Sequence, residues 1–224
     1  MIDDSLRGSG ARNPVTAFDP DCRLCPRLAR HLARVRHTHP DYHARPVAAF
    51  GDRHARLLVV GLAPGMHGAN RTGRPFTGDY AGILLYRTLH KFGFSTDAVA
   101  TSRGDGLKLK NCRITNAVKC LPPENKPTPA EANTCRRYLA SELTALKKNS
   151  VVLALGTVAH QSVLRAFALK LSAYPFRHGG CHELPNGLTL LTSYHCSRYN
   201  TQTRRLTPAM FEAVVRTAKR LLQQ

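Results

Sequence analysis

Four short apolar runs set the limits on what this chain can fold into: Leu57–Val60, Cys112–Val118, Val151–Leu155 and Leu188–Thr192. They are closed by Gly, Pro or polar turn residues, and stretches of helical periodicity lie between them. Runs of this kind suit strands buried on both faces, and strands separated by helices pair in parallel. The periodicity predicts helices over Arg23–Arg36, Ala81–Lys91 and Thr157–Leu169, with a last one from Thr207-Pro208 to Leu222. Another starts at Thr128-Pro129-Ala130-Glu131, an N-cap threonine, an N1 proline and a capping-box glutamate, and is expected to reach Lys147. Residues 38–55 read as a Pro- and His-rich loop with a short strand near Val47–Phe50. The expected fold is α/β: a three-layer α/β/α sandwich with a central, mostly parallel four-stranded sheet. Residues 1–20, polar and aperiodic, read as a loosely ordered arm, and 21–224 as a single domain.

Charge narrows the partner. Thirty-three Lys and Arg against fourteen Asp and Glu leave a net charge of +19, which favours a polyanion and opposes self-association, so a monomer is expected. A membrane is not expected: no basic amphipathic helix with large apolar anchors stands out, and no run nears the ~18 apolar residues that span a bilayer. Met1 to Asn13 lacks the apolar core of a signal peptide, so the expectation is a cytoplasmic protein with reduced thiols, nucleoid-associated through DNA. Arg23, Arg27, Arg30 and Arg34 stripe one face of the first helix, as a solvated face or a phosphate contact.

The strand Leu57–Val60 runs into a loop where open α/β sheets hold ligands. Gly61, Pro64, Gly65 and Gly68 force tight turns, and an exposed polar loop with His67, Asn70, Arg71, Arg74 and Asp79 is expected. The loop has no G-x-G-x-x-G and no lysine-bearing phosphate motif, so no nucleotide cofactor is expected. Two further polar clusters close other strands: Asn116, and Tyr194-His195-Cys196-Ser197 with Asn200 and Gln202. An amide such as Asn116 offers both the donor and the acceptor needed to read a pyrimidine edge.

Seven cysteines make a poor disulfide framework. Cys22 and Cys25 form a C-x-x-C, and Cys120 and Cys135 are a distant pair with fourteen residues between them. Two such pairs suit a four-thiolate site, for zinc or for an iron–sulfur cluster; spacing does not choose between them. Proline follows Cys25 and lies just beyond Cys120. Cys112, Cys181 and Cys196 read as packing residues.

Taken together, these segments resemble the uracil-DNA glycosylase superfamily, and within it the type B branch (family 5), whose members carry a four-iron, four-sulfur cluster. GLAPGMHGANRTGRPFTGD resembles the first motif of that branch, ITNAVKCLPP with the second distal cysteine its central motif, and SYHCSRYNTQTRRLTPAMF its C-terminal motif. The resemblance spans roughly residues 22–215 and leaves out the first twenty residues and the 101–110 loop.

The resemblance implies that Cys22, Cys25, Cys120 and Cys135 ligate a structural 4Fe-4S cluster. It implies a substrate pocket of Gly61, Ala63, Gly65, Phe76, Asn116 and His195. There Phe76 stacks on a flipped base, Asn116 pairs with the uracil edge, and His195 donates to the base carbonyl that gains charge. Arg71, Arg74, Ser197, Arg198, Asn200 and Arg205 are the implied DNA contacts, the segment from Ser197 pressing into the minor groove of double-stranded DNA. The implied activity is monofunctional hydrolysis of uracil from DNA in base excision repair, extending to hypoxanthine and other deaminated or damaged bases. Lys119 is the one lysine in the matched motifs, so no Schiff-base step is expected. Leu62-Ala63-Pro64-Gly65 offers no side chain to take a proton, which leaves stabilisation of the leaving group and of a cationic sugar. Asp79, with His195 the candidate catalytic residue, reads equally as a water-positioning carboxylate or as the cap of the helix at Ala81. Two positions depart from the branch pattern: Cys196, where proline is common, and Arg204, where glycine often stands. The alternatives are a non-catalytic iron–sulfur protein that binds DNA damage on the same scaffold, and a zinc-bound nucleic-acid module.

Overall fold

The computed structural model describes residues 17–224. In chain order the elements are α1 (Pro26–Thr38), β1 (Phe50–Gly51), β2 (Leu57–Gly61), α2 (Ala69–Thr72), α3 (Tyr80–Lys91), β3 (Cys112–Asn116) and α4 (Pro129–Thr144). There follow β4 (Val151–Leu155), α5 (Thr157–Ala166), β5 (Cys181–Glu183), β6 (Thr189–Ser193), α6 (Arg198–Gln202) and α7 (Pro208–Leu221).

The sheet has six strands in the order β1-β3-β2-β4-β6-β5, not four. The four apolar runs form its parallel centre, β3-β2-β4-β6. The two added strands are short antiparallel edges, β1 on β3 and β5 on β6. β5, Cys-His-Glu, escapes sequence reading because an edge strand of three polar residues carries no apolar signature. The central runs are apolar throughout because each feeds two cores. Leu57 and Val59 face the cluster beneath α3 and α7, while Leu58 and Val60 face the cluster beneath α4 and α5. The same alternation divides Val151, Leu153 and Leu155 from Val152 and Ala154. A third cluster packs α1 against the segment after β3 and holds Cys22, Cys25, Cys120 and Cys135.

Local signals behave as their chemistry requires. The Thr128 hydroxyl accepts from the Glu131 N–H at 3.2 Å, and the Glu131 carboxylate accepts from the Thr128 N–H at 2.8 Å. Leu24, counted on the apolar face of the first helix, precedes α1 and is exposed, leaving Leu28, Leu32 and Val35 as its buried face. Cys112 and Cys196 are buried, but Cys181 is exposed on its edge strand rather than packed. Most of the arm assigned to residues 1–20 lies outside the described residues. Within its last part, Phe18 packs edge-on against Tyr138, with ring centroids 5.8 Å apart.

The segment 196–206 contains the short helix α6, and the turn that leaves it places Arg204 at φ +57°. That conformation suits glycine, the residue the family pattern favours there. Arg204→Gly is therefore expected to stabilise the fold by roughly 1 kcal/mol in chemical denaturation. A loss of stability would contradict this reading of the turn.

Candidate active site

The carboxyl ends of the parallel strands bring three loops to one place. Gly61 at the end of β2 is in register with Asn116 at the end of β3, and His195 follows β6 by two residues. The chain between β2 and α3 folds Phe76 back over this edge, and the three loops enclose a pocket of about 370 Å³. Ala63, Gly65, Phe76, Asp79, Asn116 and His195 are among its walls.

Gly61 is bare because its neighbours occupy the space: a Cβ there would meet the Asn116 amide oxygen and the Phe76 ring. Phe76 has φ +52°, a costly conformation for a side chain of this size, and is buried. Its surroundings fix it. The Tyr86 hydroxyl donates to the Pro75 carbonyl at 2.9 Å, and the Thr72 hydroxyl reaches the Arg74 and Thr77 carbonyls at 3.3 and 3.2 Å. Gly82 in α3 packs so tightly on the Phe76 carbonyl that any Cβ would collide with it. The Phe76 and His195 rings stand 5.7 Å apart at 31°, two aromatic surfaces on one cavity.

Asn116 is 2% exposed, and its amide oxygen has no hydrogen-bond partner among the described residues. An orphaned buried acceptor costs on the order of 1–3 kcal/mol, a cost that a ligand N–H would remove. The His195 ring makes no hydrogen bond among the described residues; burial pushes its pKa down to about 4, so it is a neutral imidazole at pH 7. The main chain of His195 is anchored by the Asn200 amide, which donates to its carbonyl at 2.8 Å.

Asp79 is the N-cap of α3, its Oδ1 accepting from the Gly82 N–H at 2.9 Å. The same carboxylate lines the pocket, with Oδ2 packed where a Cβ on Gly68 would lie. Burial raises its pKa, and the helix N–H groups oppose that rise.

The implied DNA contacts are placed very differently from one another. Arg71 is exposed beside the pocket loop. Arg198 is exposed at the pocket rim, 5.8 Å above the Tyr80 ring, and Arg205 lies 4.6 Å over the Tyr194 ring. Ser197 caps α6 by accepting from the Asn200 N–H, so Ser197 and Asn200 both spend hydrogen bonds holding the His195 segment. Arg74 must be corrected. It is 2% exposed, its Nε donates to Thr77, and its guanidinium forms two parallel bonds to Asp105, at 2.8 and 2.5 Å. A cation spent in this way cannot meet a phosphate. Asn70, read as part of an exposed loop, is also fully buried. Tyr80 and Asn125 line the pocket without having been singled out in the sequence; Asn125 follows the LPPE run, at φ +56°.

Lys119 is buried with its ammonium held by Glu142, at 2.8 and 2.9 Å, and by Thr115. The residue borders a cysteine-lined cavity and does not line the pocket at the strand ends. That second cavity gathers Cys22, Cys25, Cys120 and Cys135, all free thiols. Arg27 bridges α1 to α4 through both oxygens of Glu131, at 2.8 and 2.7 Å, and so ties together the two elements that carry Cys25 and Cys135. Among the described residues, no group of three or more His, Cys, Asp or Glu side chains is placed to hold a metal ion. No helix among them is long and apolar enough to cross a membrane.

The family model of the uracil-DNA glycosylase superfamily matches residues 48–219. The chain is 51% identical over 205 residues to the type-5 uracil-DNA glycosylase of Thermus thermophilus, covering 89% of this chain and 93% of that one. It is 41% identical over 204 residues to the type-5 enzyme of Pyrobaculum aerophilum, covering 88% of each. The type-4 enzyme of Archaeoglobus fulgidus is more distant, at 33% over 62% of each chain. The fold is shared with the crystal structure of wild-type Pedobacter heparinus SMUG2, at a TM-score of 0.50 and 13% identity over 93% of each chain. With motifs, fold and relatives in agreement, the chain belongs to the uracil-DNA glycosylase superfamily, in its type-5 branch.

Proposed function

We propose that this protein is a monofunctional DNA glycosylase of base excision repair, which flips uracil out of double-stranded DNA and hydrolyses its N-glycosidic bond to leave an abasic site. The observation that carries the reading is the unpartnered Asn116 amide oxygen, buried beside Phe76 at the end of the sheet. It supplies the acceptor that the uracil imino N–H lacks once it leaves its base pair, and the Phe76 ring supplies a stacking platform worth ~1–3 kcal/mol. Flipping is obligatory because the glycosidic carbon is unreachable in a stacked duplex.

Chemistry at this site works on the leaving group. As the bond between sugar carbon and base nitrogen breaks, its electron pair passes to the base and spreads onto the ring carbonyl. Neutral His195 donates a hydrogen bond to that oxygen from a desolvated position, where such a bond is worth most. The Asp79 carboxylate, fixed by its helix N–H bond, faces the sugar and offsets its cationic charge. Water adds to the sugar and loses its proton to solvent. Leu62, Ala63 and Gly65 line the pocket without a basic side chain, and the Lys119 ammonium is spent on Glu142 and Thr115 outside it, so neither a general base in that loop nor an imine with lysine is part of the mechanism.

A 4Fe-4S cluster held by Cys22, Cys25, Cys120 and Cys135 completes the proposal, as a structural clamp between α1 and the segment following β3. The donor chemistry fits. Burial raises the pKa of Cys25 and Cys120 and lifts Cys135 to about 11, and neighbouring thiols add to each rise. Those three groups are therefore neutral thiols in the metal-free chain, and a cationic core bound among the four cysteines would displace their protons and hold the sulfurs as thiolates. When bound, the cluster joins an N-terminal segment to the central sheet.

Replacing one oxyanion donor typically costs 10²- to 10³-fold, so His195→Ala is expected to lower kcat by about that much. Asn116→Ala should lower kcat/KM at least a hundredfold (about 2.7 kcal/mol), and Asp79→Ala less than either. Single-turnover excision with gel-resolved alkali cleavage measures all three; a wild-type rate for Asn116→Ala would remove the recognition role. His195 should titrate near pH 4 by NMR of its ring proton. Its folded pKa lies below the ordinary 6.5, so the stability it contributes is present above pH 6.5 and lost as pH falls toward 4. A midpoint at or above 6.5 would contradict the desolvated environment. Protein purified anaerobically should be brown and carry equal iron and acid-labile sulfide, which any Cys→Ser change in the four removes; a colourless zinc protein would contradict the cluster.

A further inference from the structure

Beside the base pocket lies a second cleft, of about 590 Å³, which shares Asp79 and Tyr80 with it. Three of the six exposed large apolar side chains among the described residues flank this cleft: Ile83 at 60%, Val99 at 63% and Tyr80 at 42%. Ile83 projects from α3, a helix whose other aliphatic residues are buried. Apolar groups collected on an otherwise strongly basic surface mark a contact site.

The walls are built rather than loose. The loop carrying Val99 is fixed at both ends by carboxylates: Asp97 accepts from the Val99 N–H at 2.9 Å, and Asp105 accepts from the Thr101 and Ser102 N–H groups at 2.9 and 3.2 Å. Asp105 is itself clamped by buried Arg74, the residue next but one to Phe76. Cations stand on both sides of Tyr80. Arg71 is held at the cleft by the His67 carbonyl at 2.7 Å, and Arg198 lies over the Tyr80 ring.

We infer that this cleft seats the nucleotide adjacent to the excised one on the same DNA strand, its base against Ile83 and Val99 and its phosphodiester toward Arg71. The inference rests on the glycosylase reading and adds a second subsite to it. Three features select that occupant: the cleft adjoins the base pocket across Asp79 and Tyr80, it pairs an apolar floor with a cationic rim, and a nucleotide presents both kinds of surface. Stacking on side chains is sequence-tolerant, so the subsite adds affinity without dictating the neighbouring base.

The test uses uracil duplexes in which the nucleotide on one side or the other of the uracil is an alkali-stable tetrahydrofuran abasic analogue. Excision kinetics and duplex affinity by fluorescence anisotropy are both recorded. For wild-type protein, removing the base on one side should raise KM and Kd about tenfold with kcat unchanged. The doubly substituted Ile83→Ser, Val99→Ser protein should show that same rise on the unmodified duplex and no further rise with the abasic neighbour. Both positions are exposed, so thermal melting should be unchanged; Arg71→Gln, which weakens the rim alone, should raise KM and Kd on every duplex by a smaller factor. Wild-type indifference to both neighbours, or a serine variant as sensitive as wild type, would overturn the subsite. So would a concentration-dependent dimer abolished by the serine variant, which would assign the cleft to a second copy of the chain. Failure of wild-type excision on the unmodified duplex would instead sink the glycosylase reading, and the affinity measurements would still decide the subsite.

Discussion

The pairing of β2 with β3 is the constraint on which the rest of the site depends. Because Gly61 stands beside Asn116 in a parallel register, the amide is delivered, almost fully buried, to the floor of the pocket at the strand ends. Because Gly61 has no side chain, the Phe76 ring can close over that edge. A shift of one residue would turn Asn116 to the opposite face and dismantle both surfaces at once. Packing on the two faces of the sheet prevents that shift, so the two apolar cores hold the geometry of the pocket as well as the fold.

Electrostatics divides the arginines and lysines into two populations. Most are exposed and give the surface its affinity for a polyanion. A few are buried and locked in place, such as Arg74 with Asp105 and Lys119 with Glu142. Buried pairs of this kind add little net stability, but breaking one strands a charge, so they act as fixed struts. Arg74 braces the loop that carries Phe76, and Lys119 braces the segment between the sheet and the cysteine cavity. Neither strut is free to bind DNA or attack a sugar.

Much of this was legible in the sequence, for physical reasons. Strands buried on both faces leave uninterrupted apolar runs, and helix caps leave Thr-Pro pairs, so the parallel centre of the sheet and most helices could be read directly. Edge strands leave no such mark: β5 was missed and the strand near Val47–Phe50 proved to be only Phe50–Gly51. Residues of the pocket wall were legible where a side chain ends a strand, as at Asn116. They were not where a role depends on a partner far along the chain. Arg74 reads like its neighbour Arg71 until Asp105, thirty-one positions away, is seen to claim it. Tyr80 and Asn125 reach the pocket only through the path of their loops.

The Asn116 amide oxygen without a partner among the described residues, the strained Phe76 and the neutral His195 line one pocket, and the proposed flipped base would use all three. The most direct measurement is incubation of the intact protein with duplexes containing U·G, U·A and hypoxanthine·T, followed by alkaline cleavage of abasic sites. The account predicts strand scission at uracil, strongest where the mismatch lowers the cost of flipping. No scission on any of the three duplexes would contradict it.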